Sequence, residues 1–160
     1  MKWLKLGIVT SGFLGLAPFA PGTFGTLGGV AIAWALSDVD QFMLWVLVAA
    51  AALYALGRAL GPWAEAYAGR KDPGFFVIDE VVGYLVTVAW FEGPSPLALL
   101  TAFCAFRFFD IVKPPPIKKF ERIGGGDGIM LDDVIAGVYG LVLVMLPARL
   151  WIDAPWGAGA

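Results

Sequence analysis

The stretch that decides the fold is residues 106–133, FRFFDIVKPPPIKKFERIGGGDGIMLDD. It places four aspartates, one glutamate, three lysines, two arginines and a triple-glycine turn between two strongly apolar segments. The whole chain is 59% hydrophobic and only 15% charged. Placing this much charge at the ends of apolar helices is costly unless the charges have a function. We therefore interpret this stretch as part of a functional site.

The composition of the 160 residues is typical of an integral membrane protein. The mean hydropathy of +0.79 and the aromatic content of 14% both exceed the values of ordinary soluble domains. At this length we expect one domain covering residues 1–160. The apolar residues 6–20 are interrupted by glycines and by Pro18, which favours a retained re-entrant or interfacial segment over a cleaved secretory signal.

The absence of histidine excludes several kinds of chemistry. A phosphohistidine intermediate, a Ser-His-Asp triad and a histidine-based zinc site all require this residue. The single cysteine, Cys104, lies in an apolar run and lacks the basic loop that a thiolate phosphatase needs. The remaining candidates are carboxylates, hydroxyls, lysine, arginine, backbone groups and a metal ion held by oxygen.

The apolar runs predict an all-α, polytopic membrane helix bundle. A turn at residues 20–26 is expected to open the first of these helices, Gly61 and Pro62 to end the second, and Pro147 to kink the last. The predicted helices cover approximately residues 27–36, 42–60, 75–91, 97–112 and 129–152.

The basic residues predict an orientation. If the end that carries most carboxylates is cytoplasmic, ten of the eleven lysines and arginines lie inside and only Arg149 lies on the other side. The predicted location is therefore the bacterial inner membrane, crossed several times, with the active site facing the cytoplasm.

Three acidic clusters fall at the same end of three predicted helices. Carboxylates that converge at one depth repel one another unless a cation joins them, and Mg²⁺ prefers oxygen ligands and substrate phosphates. We predict Asp79, Asp110 and Asp133 as catalytic residues. The predicted Mg²⁺ ligands are Asp79, Glu80, Asp110, Asp132 and Asp133.

Basic and hydroxyl side chains near the acids predict a phosphate site. Arg107 precedes Asp110 by three residues, which places both on one helical face. We predict Thr23, Arg107, Lys113 and Lys118 as ligands of phosphate oxygens. The alternative is that the lysines are only solvated interfacial charges and that Thr23 belongs to an ordinary turn.

The glycines also allow two interpretations. Gly83 and Gly137 are expected to let two helices approach closely. Residues 124–128, GGGDG, either wrap backbone amides around a phosphate or form a flexible turn.

Four ordered motifs resemble those of the phosphatidylglycerophosphatase A family. They are APGTFGT at residues 20–26, DEVVG at 79–83, FRFFDIVKPPPI at 106–117 and GIMLDDVIAG at 128–137. The resemblance implies a Mg²⁺-dependent inner-membrane phosphatase that converts phosphatidylglycerophosphate to phosphatidylglycerol and inorganic phosphate. Some members have a histidine in the glycine-rich turn where this chain has glycines at 124–126, which leaves the acids as the natural chemical candidates.

Two other functions fit the same residues. One is a phosphatase of another membrane phosphate, such as a polyprenyl or lipid A phosphate. The other is a non-enzymatic ion or proton carrier, which would spread its acids through the membrane depth. The expected partner is a phospholipid in the bilayer, and no nucleic acid is expected. The sequence favours attack by water over an aspartyl-phosphate without deciding between them, and leaves the number of metal ions and the oligomeric state open.

Overall fold

A computed structural model of the chain describes residues 1–90, 92–117, 123–152 and 154–157. Within these residues all regular structure is helical and no strand is present, apart from one isolated bridge between Pro94 and Gly157. The predicted all-α fold class is confirmed.

The helices follow one another with short connections. The first, α1, is separated from α2 by a single 3₁₀ turn at Leu14–Leu16, and a π-helical segment at Leu141–Met145 joins α6 to α7 without interruption. The bounds are Lys2–Val9 for α1, Pro21–Leu36 for α2, Phe42–Ala68 for α3, Ile78–Val88 for α4, Pro96–Val112 for α5, Gly125–Gly140 for α6 and Leu146–Trp151 for α7.

The short helix α4 lies at the centre of the bundle. It packs against α2, α3, α5 and α6, and nearly all of its residues are buried. Tyr84 and Leu85 are fully enclosed, and the Tyr84 hydroxyl donates a hydrogen bond to the carbonyl of Leu99 on α5. A helix surrounded on all sides must be apolar all round, and the exceptions in its first turn, Asp79 and Glu80, are therefore conspicuous.

Two helical stretches in the described part of the chain are long and apolar enough to cross a membrane. They are Phe42–Ala68 and Gly125–Trp151, each of 27 residues. On α3, large apolar side chains such as Leu44, Trp45 and Val48 are exposed, as a lipid-facing surface requires. The multi-pass topology and the re-entrant or interfacial position of the N-terminal segment stay predictions.

The start of α2 differs from the prediction. The helix begins at Pro21 with Ala20 as its N-cap, so residues 21–26 form its first turns and not a separate turn before it. Proline suits the first position of a helix because its φ is already helical and its missing N–H would have no intrahelical partner there. The glycines of this motif had suggested a turn, but Gly25 packs against Val77 inside the bundle.

The end of α3 also differs, because the helix continues through Pro62 to Ala68. Pro62 cannot donate a hydrogen bond to the carbonyl of Arg58. Gly126 of α6 lies against that carbonyl, and Gly61 faces Gly126. Packing of α6 on this turn therefore supports a helix that local propensity alone would have ended.

The other boundaries shift by a few residues. Helix α4 is shorter than the predicted 75–91, and α6 begins four residues before the predicted position, so the glycine-rich segment forms its first turn. The structure places the predicted irregularity near Pro147 in the π-helical segment just before it. A wider turn accommodates a residue that lacks an N–H group.

Helices α4 and α6 are in close contact, as the two glycines predicted. A Cβ atom at Gly137 would overlap the carbonyl oxygen of Gly83, and a Cβ at Gly83 would lie 2.6 Å from the carbonyl oxygen of Asp133. The expectation for Gly83 and Gly137 is confirmed. This contact sets the distance between the acidic turn of α4 and the acidic turn of α6.

The close contact predicts a stability effect for Gly137→Ala. The added methyl group meets backbone atoms that cannot move aside, so we expect the free energy of unfolding to fall by about 1–3 kcal/mol and the Tm in detergent to fall by several degrees. Gly74→Ala is the matched control, because among the described residues the added Cβ would have only the end of the Arg70 side chain near it, at 3.5 Å. Equal Tm values for the two variants would contradict the packing described.

Candidate active site

Three carboxylates from two helices meet at one end of the bundle. Asp79 and Glu80 come from the first turn of α4 and Asp133 comes from α6, and one oxygen of each lies within 4.8 Å of the others. Asp79 is 6% exposed and Asp133 is 4% exposed. We call these three residues the carboxylate cluster.

Local sequence and packing both hold the carboxylate cluster in place. Acidic residues in the first turn of α4 are favoured by the positive end of the helix dipole, and Asp79 Oδ1 accepts a hydrogen bond of 3.0 Å from the N–H of Glu80. The next turn of α4 carries Gly83, which lies against the carbonyl of Asp133. The close contact between α4 and α6 therefore places Asp133 at the same depth as Asp79 and Glu80.

Glu80 extends from the cluster toward α2 and α5. A Cβ atom at Gly22 would overlap Glu80 Oε1 and would lie 3.2 Å from Arg107 Nη1. Glu80 Oε2 is buried and has no hydrogen-bond partner among the described residues. A buried carboxylate oxygen without a donor is costly, so its position favours a bound cation.

Asp110 lies beside the cluster and is paired with Arg107. The two side chains form an ion pair of 2.5 Å on one face of α5, at the predicted spacing of three residues. The charge of Asp110 acts on both Glu80 and Asp133, so it belongs to the same electrostatic site. Its carboxylate is paired with the Arg107 guanidinium and is also close to Asp133.

Asp132 points away from its neighbour in sequence. Its Oδ2 accepts from Lys113 Nζ at 2.8 Å, and its side chain lines a polar cavity of about 250 Å³ together with Lys71 and Gly124. Successive residues of a helix differ by about 100° in direction, which explains why Asp133 joins the cluster and Asp132 does not. Of the five predicted metal ligands, the structure groups three and gives Asp110 and Asp132 cationic partners.

The predicted phosphate ligands have different positions. Arg107 and Lys113 lie next to the acids, and Thr23 follows Gly22 in the first turn of α2 at the same end of the bundle. The backbone N–H of Thr23 donates to the carbonyl of Ala20 at 2.9 Å. The hydroxyl, and not this N–H, is therefore the group of Thr23 that could contact a phosphate oxygen. Lys118 lies outside the described residues.

Two features of the site escaped the sequence reasoning. Gly22 provides the space that Glu80 and Arg107 share, and only its place in a helical turn reveals this role. Asp127, which lies in the segment that the sequence assigns to a phosphate-binding or flexible turn, accepts hydrogen bonds from Tyr54 at 2.9 Å and Arg58 at 3.0 Å and thereby links α6 to α3. This role of Asp127 would have been predictable if the start of α6 had been placed at Gly125.

The donor set suits a hard divalent cation. The grouped atoms are all carboxylate oxygens, they are mutually repulsive, and one buried oxygen has no donor, which together match the preference of Mg²⁺. Arg107 supplies a bidentate donor for phosphate next to these oxygens. The arrangement can therefore hold a phosphate group between a guanidinium and a cation.

The sequence profile described as Phosphatidylglycerophosphatase A matches residues 7–148. The chain belongs to the phosphatidylglycerophosphatase A family. This confirms the resemblance drawn from the four motifs, and with it the expectation that the chain is a phosphatase.

Relatives with curated names include two called phosphatidylglycerophosphatase A. The protein of Haemophilus influenzae is 39% identical over 86% of this chain and 84% of its own length. The protein of Escherichia coli is 32% identical over 86% of this chain and 79% of its own length. A Bacteroides thetaiotaomicron protein named putative phosphatidylinositol-3-phosphatase is 37% identical over 86% of this chain and 89% of its own length. No solved structure matches the chain significantly.

The contact at Gly22 predicts an effect on phosphatase activity. In Gly22→Ala the methyl group displaces the Glu80 carboxylate, and because a 1 Å misplacement can cost about 100-fold in rate, we expect kcat to fall by at least about tenfold. Gly28→Ala on the same helix is the control, since its nearest neighbour is a flexible leucine methyl at 3.2 Å. Phosphate release and Tm are measured for both, and full activity of a folded Gly22→Ala protein would remove Glu80 from the site.

Proposed function

We propose that the protein hydrolyses the terminal phosphate monoester of phosphatidylglycerophosphate, releasing phosphatidylglycerol and inorganic phosphate, with Mg²⁺ as cofactor. The observation that carries this proposal is the largely buried carboxylate cluster beside Arg107, in a chain of the phosphatidylglycerophosphatase A family. The relatives' names supply the substrate.

We propose the cytoplasmic face of the bacterial inner membrane as the location of the reaction. The two stretches long enough to cross a membrane support an integral protein. The cluster lies at the end of the bundle where Arg107 and Lys113 also lie, and basic residues favour the cytoplasmic side. The acyl chains would then stay in lipid while the headgroup reaches the site.

Asp79, Glu80 and Asp133 are the residues that would hold Mg²⁺, with Asp110 and Asp132 as further candidates. The unpartnered Glu80 oxygen and the crowding of the three carboxylates support this assignment. When bound, Mg²⁺ would polarise a phosphoryl oxygen and neutralise charge that develops during the reaction.

The basic residues would bind and orient the phosphate. Arg107, fixed by Asp110, would donate to two phosphate oxygens, and Lys113 and Thr23 would contact the others; Lys118 remains a further candidate. Phosphoryl transfer depends chiefly on positioning and charge neutralisation. A water oxygen would bond to phosphorus as the bond to the glycerol oxygen breaks, and the glycerol oxygen would leave with a proton.

The proposal predicts Mg²⁺-dependent release of phosphate from phosphatidylglycerophosphate in detergent micelles. We expect activity with Mg²⁺, none with EDTA, and a fall of at least about 100-fold in Asp133→Asn, because this change removes a ligand charge from the cluster. Asp40→Asn, an exposed residue in the loop between α2 and α3, is the matched control and should retain wild-type activity. Circular dichroism confirms that both variants are folded.

The outcomes separate the proposal from its rivals. No phosphate release by folded wild-type protein with Mg²⁺ would refute the assigned substrate. Comparison with phosphatidylinositol 3-phosphate, which the name of the Bacteroides relative suggests, and with polyprenyl and lipid A phosphates would show whether another lipid phosphate is preferred. A carrier would hydrolyse none of them.

Attack by water predicts that no phosphoenzyme forms. The carboxylates of the cluster are crowded together, which suits the binding of a cation better than nucleophilic attack by one of them. Acid quenching during the first turnover of substrate labelled in its terminal phosphate should leave no label on the protein above the Asp133→Asn background. Phosphate label on the protein that borohydride releases, with conversion of the phosphorylated aspartate to homoserine, would establish a covalent mechanism instead.

A further inference from the structure

An apolar groove lies between α2 and α5 and has no role in the site described above. Its volume is about 630 Å³, and its walls are mainly apolar side chains. Leu27 is 45% exposed, Trp34 is 71% exposed and Leu100 is 61% exposed. Exposed large apolar groups that line a concave surface suit the binding of an apolar ligand.

On α2, the groove continues the face that carries the phosphate site. Thr23, Leu27, Val30 and Trp34 are separated by four, three and four residues, which places them in one stripe along the helix. The last three line the groove. The stripe therefore begins with a hydroxyl at the site and continues as an apolar wall.

On α5, the opposite wall has the same arrangement. Pro96, Leu99, Leu100 and Phe103 line the groove, and Arg107 follows Phe103 by four residues on the same face. Because α2 runs away from the site and α5 runs toward it, both stripes reach the site at the same end. The groove thus ends, at Leu27 and Phe103, about one helical turn from Thr23 and Arg107.

The length of the groove fits a lipid chain. From Leu27 to Ser37 the groove runs for about 15 Å, which equals the depth of one leaflet's hydrocarbon, about half of 30 Å.

We propose that this groove binds one acyl chain of the lipid substrate and thereby places the phosphorylated headgroup at the carboxylate cluster. The inference rests on the proposed function, because a lipid substrate is what connects an apolar groove to a phosphate site. An acyl chain that moves from the bilayer into the groove exchanges one apolar environment for another, so the groove adds little binding affinity. Its main contribution is to orient the substrate through packing contacts.

The first test is photolabelling of the wild-type protein in detergent micelles. The probe is a non-hydrolysable phosphonate analogue of phosphatidylglycerophosphate with a diazirine in the middle of a palmitoyl chain. We expect label on groove residues of α2 and α5, competed by the unlabelled analogue and not by phosphatidylcholine. Even labelling of all apolar faces, or competed labelling confined to the second apolar cavity, lined by Gly7, Leu53 and Val81, would overturn the proposal.

The second test uses variants that leave the phosphate site intact. Leu27→Trp narrows the groove next to the site, and Leu47→Trp is the matched control on α3, with 42% exposure and outside the groove. We expect Leu27→Trp to lower kcat/KM for the palmitoyl substrate by roughly threefold or more, because packing contacts exchanged for lipid contacts stabilise weakly. For a substrate analogue with short hexanoyl chains in place of palmitoyl chains, kcat/KM should not change.

The result distinguishes this inference from the proposed function. If the wild-type protein releases phosphate and Leu27→Trp matches Leu47→Trp on both substrates, the groove assignment is wrong and the phosphatase assignment stands. If Leu27→Trp loses activity equally on both chain lengths, the residue supports the site and not the chain, which also refutes the groove. If the wild-type protein releases no phosphate while the phosphonate still labels the groove, the substrate assignment fails and lipid binding remains.

Discussion

The crowding of three carboxyl groups within 4.8 Å of one another, two of them on buried residues, is the constraint on which the rest of the structure depends. Carboxylates removed from water and crowded together destabilise a fold unless a cation compensates them. The surrounding helices nevertheless fix these side chains closely: α4 is enclosed on all sides, and its contact with α6 is as close as two glycines permit. A fold that holds repulsive groups together in this way has been shaped by what those groups bind.

Spacing made much of this arrangement predictable. Helix α5 was predicted within one residue, because Pro96 starts it and the proline run after Val112 cannot continue it. The acidic pairs were placed at one end of the bundle because helix length and turn positions fix depth. Gly83 and Gly137 were recognised because small residues in apolar helices mark close contacts.

What could not be predicted depended on contacts between distant segments. The continuation of α3 through Pro62 rests on its packing against Gly126, which no local pattern contains. For the same reason the sequence did not show which acids lie together. Helical periodicity shows that Asp132 and Asp133 point in different directions, but only the position of Lys113 shows that Asp132 is the one outside the cluster. The glycine-rich segments looked like turns because glycine favours turns, whereas here several glycines provide space for a neighbouring helix.

The depth of the charges bears on the choice between an enzyme and a carrier. Asp79, Glu80, Asp110, Asp132 and Asp133 all lie at one end of the bundle, whereas Asp38, Asp40 and Glu92 lie in the connections at the other end. Between the two ends the described helices bury apolar side chains and uncharged polar groups such as Thr87, whose hydroxyl donates to the carbonyl of Gly83 at 2.9 Å. A carrier needs charged or polar relays through this middle region, while an enzyme that acts on a lipid headgroup needs them only where the headgroup lies. The distribution therefore favours chemistry at one surface, with an apolar interior left to the lipid.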